Sequence, residues 1–312
     1  MIPLLEGRRL LLGVTGSIAA YKAAELASRL TQEGAQVDVM LTEAAQRFVT
    51  GLTFQSLTGR RVYTEVDLWG AEAHVLHVGL SRDADLLLIA PATADTLAKL
   101  AHGRADTLLT LTALAATCPL LLAPAMEAWM YQHPATQANI ELLRSRGAIL
   151  AGPVEGRMAS GLVGLGRMLE PSELLGHIRL ALGRQGPLAG RRVVVTAGGT
   201  QEPLDPVRAL TNHSSGKQGF ALAQAALDRG AQVTLISAPT ALPPPIGAEV
   251  VAVQTAAEMG RALLPAAAQA DLLLMAAAVA DFTVDETSGA GAPHGGKLER
   301  GDAGIELRLQ ST

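Results

Sequence analysis

The sequence has 312 residues, of which 49% are hydrophobic and 17% are charged, and its formal net charge is −4. At roughly 100–200 residues per domain this length suggests two domains, and the composition excludes an intrinsically disordered chain. The acidic balance argues against a protein that holds nucleic acid by bulk positive charge. Because Cys118 is the single cysteine, no disulfide can form within the chain, which excludes a disulfide-stapled scaffold.

The sequence predicts neither a targeting signal nor a membrane span. The apolar run near the N-terminus is too short for the hydrophobic region of a signal peptide. The uncharged stretch at 107–126 is long enough to span a membrane, but Pro119 and Pro124 interrupt it. A buried helix over 108–117 followed by a buried strand over 120–123 explains the stretch better. We therefore expect a cytoplasmic protein with no membrane partner.

Two segments of the chain begin alike. Each has a short apolar strand, a glycine-containing turn and a helix, and then the letters Gly-Ala-Gln-Val at 34–37 and at 230–233. A glycine at that point is typical of a helix C-cap, with the next strand starting three residues later. Short apolar strands that alternate with helices predict an α/β fold, with a doubly wound, mainly parallel sheet in each half.

Further elements follow these two starts in chain order. The predicted strands lie at 85–90, 120–123, 148–150, 249–253 and 270–275. The predicted helices lie at 93–101, 106–117, 134–146, 171–182 and 256–268. The segment 183–190 contains three glycines and one proline, which is typical of a linker. We therefore predict domains at 1–182 and 191–312.

The turn after the first strand carries the first candidate binding residues. Gly16, Ser17 and Ile18 lie between this strand and its helix, where free N–H groups and the positive end of the helix dipole suit a phosphate. The turn lacks the Gly-x-Gly-x-x-Gly pattern, and the second strand ends in Thr42 rather than in an acidic residue that would hold a ribose. Both observations disfavour NAD and favour a mononucleotide such as FMN.

A third strand end adds polar side chains to this candidate site. Thr93, Asp95 and Thr96 follow the predicted strand at 85–90. Thr93 or Asp95 could simply cap the next helix. However, polar residues follow three strand ends, and ligands of open α/β sheets bind at the carboxyl ends of strands. We therefore expect these side chains to meet at one nucleotide site.

Four segments together carry a family resemblance, namely 13–22, 42–49, 90–96 and 124–130. They resemble the flavin-containing cysteine decarboxylases. The whole chain resembles the bifunctional bacterial enzymes of coenzyme A synthesis, which join a phosphopantothenoylcysteine decarboxylase to a phosphopantothenate–cysteine ligase. The resemblance implies a flavodoxin-like FMN domain, then a Rossmann-like ligase domain, and a homo-oligomer.

The first reaction that the resemblance implies is FMN-dependent oxidation of a cysteinyl thiol, loss of CO2 and reduction of the enethiol to 4′-phosphopantetheine. His77 matches the family's active-site histidine, a residue type that titrates near neutrality. Ala125 and Met126 match the loop beside the flavin. Two positions depart from the family: Glu127 replaces an asparagine that binds the substrate carboxylate, and Ser160 replaces a cysteine that protonates the enethiol.

These departures leave two interpretations open. The domain binds FMN but turns over poorly or acts on another substrate, or else Glu127 stays protonated and donates a hydrogen bond. Cys118 does not replace the missing thiol, because it lies in the buried uncharged stretch. The alternatives for the whole chain are an FMN-binding flavoprotein with degenerate catalytic sites, or another flavin-dependent decarboxylase or prenyltransferase.

The most specific run of the chain is 193–219, a loop rich in glycine and hydroxyl residues that opens onto a helix N-terminus. It is not a P-loop, because Gly-x-x-x-x-Gly-Lys-Ser/Thr is absent. The run resembles the ligase loop for 4′-phosphopantothenate and CTP, and Asn212 matches the asparagine that stabilises the acyl-cytidylate. The resemblance places the following residues at CTP or substrate: Gly198, Gly199, Ser214, Gly216, Met275, Ala276, Ala277, Asp281 and Lys297.

The ligase reaction also implies Mg²⁺, which usually binds through the substrate phosphates rather than in a protein cage. The sequence shows no such cage, and it leaves the choice between CTP and ATP open. The glycine-rich segment 285–296 predicts a mobile flap, and the resemblance implies that Lys297, which follows it, neutralises the triphosphate. The last residues, 306–312, read as a strand that enters a turn. Since the resemblance implies more ligase elements after this point, we expect an incomplete ligase domain.

Overall fold

The computed structural model describes residues 4–69, 76–284 and 307–312. The chain divides into two compact units, Met1–Leu182 and Gly183–Thr312. Within the described ranges, no helix is long and apolar enough to cross a membrane. The predicted flap at 285–296 and Lys297 lie outside the described residues.

The first unit is built on a six-stranded parallel sheet with strand order β3-β2-β1-β4-β5-β6. Its strands are β1 Arg9–Val14, β2 Gln36–Leu41, β3 Val62–Tyr63, β4 Leu86–Ala92, β5 Leu120–Pro124 and β6 Ile149–Leu150. Its helices are α1 Ala20–Gln32, α2 Gly51–Thr58, α3 Leu76–Arg82, α4 Ala94–Ala101, α5 Leu108–Ala115, α6 Ala128–Gln132, α7 Pro134–Ser145 and α8 Pro171–Gly183, with 3-10 turns at Ala45–Arg47 and Glu65–Trp69. The strand order reverses between β1 and β4, which in such sheets marks the ligand crevice.

An antiparallel hairpin lies between β6 and α8. Its strands are β7 Val154–Arg157 and β8 Val163–Arg167. The sequence predicted no strands between 150 and 171. Two glycines explain how the hairpin packs against the chain at the start of α6. A Cβ at Gly166 would lie 2.3 Å from the carbonyl oxygen of Met126, and a Cβ at Gly164 would lie 2.9 Å from Ala128 Cβ.

The second unit has a four-stranded parallel sheet with strand order β13-β12-β9-β14. Its remaining strands form two antiparallel pairs, β10–β11 and β15–β16, of which β10–β11 is a hairpin. The strands are β9 Arg192–Ala197, β10 Gln201–Asp205, β11 Arg208–Thr211, β12 Gln232–Ser237, β13 Glu249–Ala252, β14 Leu272–Met275, β15 Phe282–Val284 and β16 Leu309–Ser311. The helices are α9 Lys217–Leu227 and α10 Ala256–Ala267.

The predicted α/β fold with mainly parallel sheets is confirmed in both units, and the predicted elements agree with the structure to within about two residues at most ends. The two predicted C-cap glycines, Gly34 and Gly230, have φ of 89° and 87°, a backbone conformation that favours glycine. The run after Gly199 is not one long loop, because 201–211 forms the hairpin β10–β11. The Asp205 carboxylate makes its turn by accepting two backbone N–H groups, at 2.8 and 2.7 Å.

The core of the first unit lies on both faces of its sheet. β4 is buried along its whole length, and β1 and β2 are buried after their first residue. Such strands need helices on both faces, because parallel strands connect through crossover helices. α1 buries a stripe at helical spacing that includes Ala23, Leu26 and Leu30. The sheet is therefore a rigid platform for the loops at the carboxyl ends of its strands.

Candidate functional site

A cavity of about 1290 Å³ opens at the carboxyl ends of β1, β2, β4 and β5 in the first unit. This is the position predicted for a ligand of an open α/β sheet. The predicted residues that line the cavity are Gly16, Ser17, Ile18, Thr42, Thr93, Asp95, Thr96, Ala125, Met126, Glu127 and Ser160. The fold thus brings together residues from five separate segments of the chain.

The turn between β1 and α1 forms one side of the cavity. The N-cap of α1 is Ala19, whose side chain cannot accept a hydrogen bond from the first-turn N–H groups. Ser17 Oγ accepts the Ala19 N–H at 3.3 Å. A Cβ at Gly16 would lie 2.5 Å from Ala44 Cβ, so this glycine is needed where the turn meets the loop after β2. The N–H groups of Ala20 and Lys22 donate to the carbonyls of Ser17 and Ala19, at 3.0 Å each, so backbone bonds hold the turn, and the positive end of the helix dipole lies beside the cavity.

The structure settles the two capping roles that the sequence left open. Thr93 is the N-cap of α4, and its Oγ1 accepts the Thr96 N–H at 3.3 Å. Asp95 caps nothing and instead pairs with Lys99 at 3.4 Å. Thr42 Oγ1 accepts the Ala45 N–H at 3.2 Å. All of these side chains also line the cavity, so their structural bonds and a ligand contact are compatible.

Thr15 is a residue of this site that sequence reasoning missed. Its Oγ1 donates to the Pro91 carbonyl at 2.7 Å and accepts the Thr93 N–H at 3.2 Å, and the residue is 2% exposed. These two bonds tie the carboxyl end of β1 to the carboxyl end of β4. The available signal was a hydroxyl residue directly after a buried apolar strand.

Positive side chains around the cavity were also missed. Lys99, Arg157, Arg167 and Arg47 line it. Lys99 pairs with Asp95 and Asp106, and Arg167 pairs with Glu170. Arg47 and Arg157 make no ion pair with any residue that the structure describes. Arg47 and Arg157 are therefore available to pair with an anionic ligand, in a cavity that Glu43, Glu65 and Glu127 also line.

Glu127 and Ser160 meet at the hairpin side of the cavity. Ser160 Oγ donates a hydrogen bond to Glu127 Oε2 at 3.0 Å. Glu127 Oε1 is buried and has no hydrogen-bond partner. The Met126 N–H donates to the Gly166 carbonyl at 3.1 Å, which holds strand β8 beside this loop. The two positions that depart from the family resemblance are thus in direct contact.

His77 is the predicted catalytic residue that the fold does not bring to the cavity. It lies on α3, its Nδ1 is buried without a hydrogen-bond partner, and it is absent from the described lining of the cavity. The reason is that α3 packs beside α5, where Leu80 shares a core cluster with Leu108 and Leu109. Its catalytic role stays a prediction.

Cys118 also lies away from the cavity lining. Its side chain is half-buried and packs against the core cluster on one face of the sheet. Burial raises the pKa of its thiol, so that the thiolate is disfavoured. This agrees with the expectation that Cys118 does not replace a reactive cysteine.

In the second unit, two threonines link the loop after β9 to the end of β14. Thr196 Oγ1 accepts the N–H groups of Ala276 and Ala277 at 3.1 and 3.2 Å. Thr200 Oγ1 accepts the Ala280 N–H at 2.8 Å. Both threonines are fully buried, and neither was predicted as a site residue. They bring the predicted Gly198–Gly199 and 275–281 segments side by side.

Asn212 joins the same two segments. Its Nδ2 donates to the Val279 carbonyl at 2.9 Å, and the residue is exposed. A Cβ at Gly199 would lie 2.7 Å from the Asn212 carbonyl oxygen, which explains why a glycine stands there. Met275 and Asp281 are exposed at the end of β14 and after it. The predicted ligase residues that the structure describes thus cluster at the carboxyl edge of the second sheet.

The N-terminus of α9 faces this edge without a capping side chain. Gly216 is its N-cap with φ of 72°, and its N–H donates to Ser214 Oγ at 3.4 Å. The arrangement repeats the anion-binding geometry of the first unit. Among the described residues, no group of three or more His, Cys, Asp or Glu side chains is placed to hold a metal ion.

Comparisons with known proteins agree with this two-part organisation. The family model for Flavoprotein matches residues 4–182, and the model for the DNA/pantothenate metabolism flavoprotein C-terminal domain matches residues 188–312. The chain is 48% identical over 278 residues to the coenzyme A biosynthesis bifunctional protein CoaBC of Vibrio cholerae, covering 89% of this chain and 69% of that protein. It is 45% identical over 312 residues to the protein of that name from Bacillus subtilis, covering 99% of this chain and 75% of that protein.

Solved structures resemble the first unit. A cysteine-to-serine mutant of PPC decarboxylase complexed with pantothenoylaminoethenethiol matches with a TM-score of 0.52 and 36% identity, covering 56% of this chain and 98% of that chain. The FMN binding protein AtHal3 matches with a TM-score of 0.50 and 36% identity, covering 56% and 96%. Taken with the two family models and the relatives, these matches show that the chain belongs to the family of bifunctional coenzyme A biosynthesis proteins.

Proposed function

We propose that the protein catalyses two reactions of coenzyme A synthesis. The second unit joins 4′-phosphopantothenate to cysteine at the expense of CTP, and the first unit decarboxylates 4′-phosphopantothenoylcysteine to 4′-phosphopantetheine with FMN. The observation that carries the proposal is that most candidate residues of each unit lie at the carboxyl edge of its sheet, His77 and the undescribed Lys297 apart, in a chain that shares 45% identity with a CoaBC protein across almost its whole length.

The residues of the first cavity fit FMN. The uncapped start of α1, the hydroxyls of Ser17, Thr42 and Thr96, and the unpaired guanidinium of Arg47 suit the phosphate and the polar edges of a flavin. When bound, the flavin supplies the capacity to accept two electrons from a thiol and return them. The volume of about 1290 Å³ exceeds the roughly 300–1,000 Å³ of a typical ligand site, which leaves room for a substrate beside the flavin.

The remaining predicted residues have roles around the substrate. Glu127 and Ser160 face the cavity from the loop and the hairpin, where a cysteinyl carboxylate and its sulfur would lie beside the flavin. His77 stands outside the cavity of one chain. In a homo-oligomer whose copies share their FMN sites, as the resemblance implies, His77 of one copy would complete the site of another. Measurement of the solution mass by light scattering tests the oligomer.

The second unit would bind its nucleotide across the paired segments held by Thr196 and Thr200. The N-terminus of α9 and Ser214 suit a phosphate group, and Asp281 is exposed for the ribose. Asn212 would stabilise the acyl-cytidylate from its position on the rim. Mg²⁺ would enter with the triphosphate of CTP, which is how this ion usually binds.

A second candidate function is a flavoprotein that binds FMN with a degenerate decarboxylase site. The observation that favours it is the pair of replacements at Glu127 and Ser160, since a hydroxyl is a much weaker acid than a thiol. This candidate predicts flavin binding without release of CO2.

Three measurements on the purified protein test both candidates. The first is the flavin absorption spectrum, with FMN identified after release. The second is CO2 release from 4′-phosphopantothenoylcysteine, and the third is pyrophosphate release that requires CTP, 4′-phosphopantothenate and cysteine together. The proposal predicts a yellow protein with both activities. A yellow protein without CO2 release would support the second candidate, and a colourless protein that does not bind added FMN would contradict both.

A further inference from the structure

The side chain of Lys22 is buried beside the first cavity, although lysine is almost never fully buried unless it is paired. Lys22 is the third residue of α1, the helix that follows the turn at 16–19, and it is 4% exposed. Among the lysines and arginines of the described ranges, only this one is buried. Because removing an ammonium group from water is costly, its partners need an explanation.

The ammonium group of Lys22 binds the chain segment that follows the hairpin β7–β8. Its Nζ donates to the Met168 carbonyl and to Glu170 Oε1, at 3.0 Å each. These partners lie 146 and 148 positions away along the chain, directly after β8 and directly before α8. We call residues 168–170 the hairpin root. The bonds of Lys22 therefore join the hairpin root to the helix whose preceding turn lines the cavity.

Glu170 extends this contact from the root to the hairpin itself. Its carboxylate pairs with Lys22 and also with Arg167, the last residue of β8. The hydrogen bond from Lys22, and then the charges of Lys22 and Arg167, lower the pKa of the Glu170 carboxyl group below its ordinary value. The carboxylate is therefore ionised at neutral pH, and it joins a cation of α1 to a cation of the hairpin.

The hairpin that this cluster holds forms one wall of the first cavity, which residues 157–160 and 166–168 line. In the described part of the unit, the other hydrogen bonds between the hairpin and its surroundings lead to the loop after β5. The Met126 N–H donates to the Gly166 carbonyl at 3.1 Å, and Ser160 donates to this loop at 3.0 Å. The hairpin is thus held from two sides, by the loop after β5 and by α1.

Apolar packing alone would keep the root in the fold. Met168 and Leu169 are buried and belong to the core cluster on one face of the sheet. A buried ion pair can often be replaced by apolar side chains without loss of stability, so stability does not explain the buried charge of Lys22. Apolar packing is not directional, whereas hydrogen bonds from an ammonium group fix the direction of a carbonyl and a carboxylate. The contact therefore suits a role in orientation.

We propose that Lys22 is a positioning residue for the first reaction, which holds the hairpin β7–β8 against the cavity and so places Ser160 beside the substrate. The inference rests on the proposed function, and it adds a residue that acts through the hairpin rather than on the reacting atoms. Since the turn at 16–19 precedes the same helix, α1 would orient both the flavin site and the hairpin. Without the ammonium group the hairpin would open more often, and the substrate would have to order it on binding.

Hydrogen exchange of the FMN-saturated protein, read by mass spectrometry on overlapping peptides, measures how often the hairpin opens. Lys22→Met keeps an apolar chain of similar length but removes the donors. We expect it to speed the exchange of the Met126 N–H, which is bonded to Gly166, and of peptides from 154–170 by about tenfold. Peptides from β4 should exchange at the wild-type rate.

Three further variants identify the contact. Glu170→Ala removes a partly exposed carboxylate, should speed hairpin exchange by about three- to tenfold, and carries the test if Lys22→Met does not fold. The double variant should fall short of the product of the two single effects, because both remove the same contact. Lys99→Met is the matched control, since Lys99 also lines the cavity but pairs with Asp95 and Asp106, and it should leave hairpin exchange unchanged.

Steady-state release of CO2 from 4′-phosphopantothenoylcysteine measures the consequence for the reaction. Lys22→Met and Glu170→Ala should raise KM by about three- to tenfold and change kcat by less than about threefold. The reason is that the substrate has to order the hairpin before an unchanged chemical step.

Unchanged hairpin exchange in Lys22→Met and Glu170→Ala, or an equal rise in the peptides from β4, would overturn the assignment. Faster hairpin exchange with an unchanged KM would also overturn it, because the contact would then not serve the substrate. If the wild type binds FMN but releases no CO2, the proposed function of the first unit fails and the role in the reaction fails with it. The exchange rates would then still decide whether Lys22 holds the hairpin.

Discussion

The two units hold the amino end of their central strand in the same way. In the first unit the Arg9 N–H donates to Asp85 Oδ2 at 2.8 Å, and the Asp85 N–H donates back to the Arg9 carbonyl at 2.8 Å. In the second unit Arg192 and Asp271 make the same two bonds, at 2.7 and 2.8 Å. In both, the guanidinium of the preceding arginine reaches the other carboxylate oxygen. The strand that carries the aspartate begins Ala-Asp-Leu-Leu-Leu in each unit.

The carboxyl ends of the central strands are also held alike. Thr15 bonds the chain after β4, and Thr196 bonds the chain after β14. In each unit a buried hydroxyl thus sets the spacing between the two loops that carry candidate ligand residues. The two units therefore share one hydrogen-bonding arrangement, which we propose supports a flavin site in the first unit and a nucleotide site in the second.

The units differ in the apolar cover of the strand beside the central one. β4 is buried along its whole length, whereas Leu272 and Met275 of β14 are 42% and 67% exposed. The polar contacts at the strand ends are nevertheless the same. The hydrogen bonds from Thr15 and Thr196 thus join the loops in both units, although the neighbouring strand is buried in one unit and partly exposed in the other.

The largest predicted effects on activity come from removing the buried threonine hydroxyl of each unit. Thr15→Val should weaken FMN binding and decarboxylation by about tenfold or more, because it leaves the Thr93 N–H without its buried acceptor. Thr196→Val should lower CTP-dependent pyrophosphate release by a similar factor, because the Ala277 N–H loses its acceptor and the Ala276 N–H keeps only the Thr196 carbonyl, at 3.3 Å. Flavin titration and the pyrophosphate assay on both variants measure these effects.

The two variants should impair different activities. Each variant should leave the other activity within about twofold of the wild type. Thr234→Val on β12 is the matched control, since its hydroxyl contacts only an exposed glutamate at 3.4 Å, and it should change neither activity. Equal loss of both activities in either variant would contradict the independence of the two arrangements.

A smaller effect concerns two helical glycines of the second unit, and it should differ in sign. A Cβ at Gly219 would lie 2.5 Å from Ala197 Cβ and 2.8 Å from the Thr196 carbonyl, whereas Gly260 has nothing within 4 Å. Gly219→Ala should therefore destabilise this unit by about 1–3 kcal/mol. Gly260→Ala should stabilise it by about 0.5–1 kcal/mol, because the unfolded chain has less conformational freedom with alanine than with glycine and so loses less entropy on folding. Urea unfolding followed by circular dichroism measures both changes, and the same sign in both variants would refute this packing explanation.

The smallest predicted effect is a pH dependence of the stability of the second unit, caused by the Asp271 carboxyl group at the amino end of the central strand. The hydrogen bond from the Arg192 N–H, and then that from Arg191, lowers the pKa of the Asp271 carboxyl group below its ordinary value of 3.8. The stabilisation is therefore complete at pH values above this ordinary value, and it is lost as the pH falls through the lowered pKa. Asp271→Asn should be less stable than the wild type at neutral pH, and the difference should shrink in acid. A difference that stays constant down to acid pH would show that the charge is not the cause.

Much of this organisation could be predicted from sequence because it depends on local patterns. The apolar runs, the glycines at 34 and 230 and the hydroxyls after strands indicated both sheets and the edge where ligands bind. Thr15 and Thr196 were missed because their partners are backbone groups far along the chain, at Pro91 and at Ala276. The contact between Glu127 and Ser160 was missed for the same reason, since only the folded hairpin brings them together.

The most direct test of the account is a coupled reaction on the purified protein. The protein is supplied with FMN, Mg²⁺, 4′-phosphopantothenate, CTP and cysteine that carries a radiolabelled carboxyl carbon. If one chain carries both a ligase site and a decarboxylase site, labelled CO2 is released, and the release requires CTP and 4′-phosphopantothenate. No release of labelled CO2 under these conditions, or release that continues without CTP, would contradict the account.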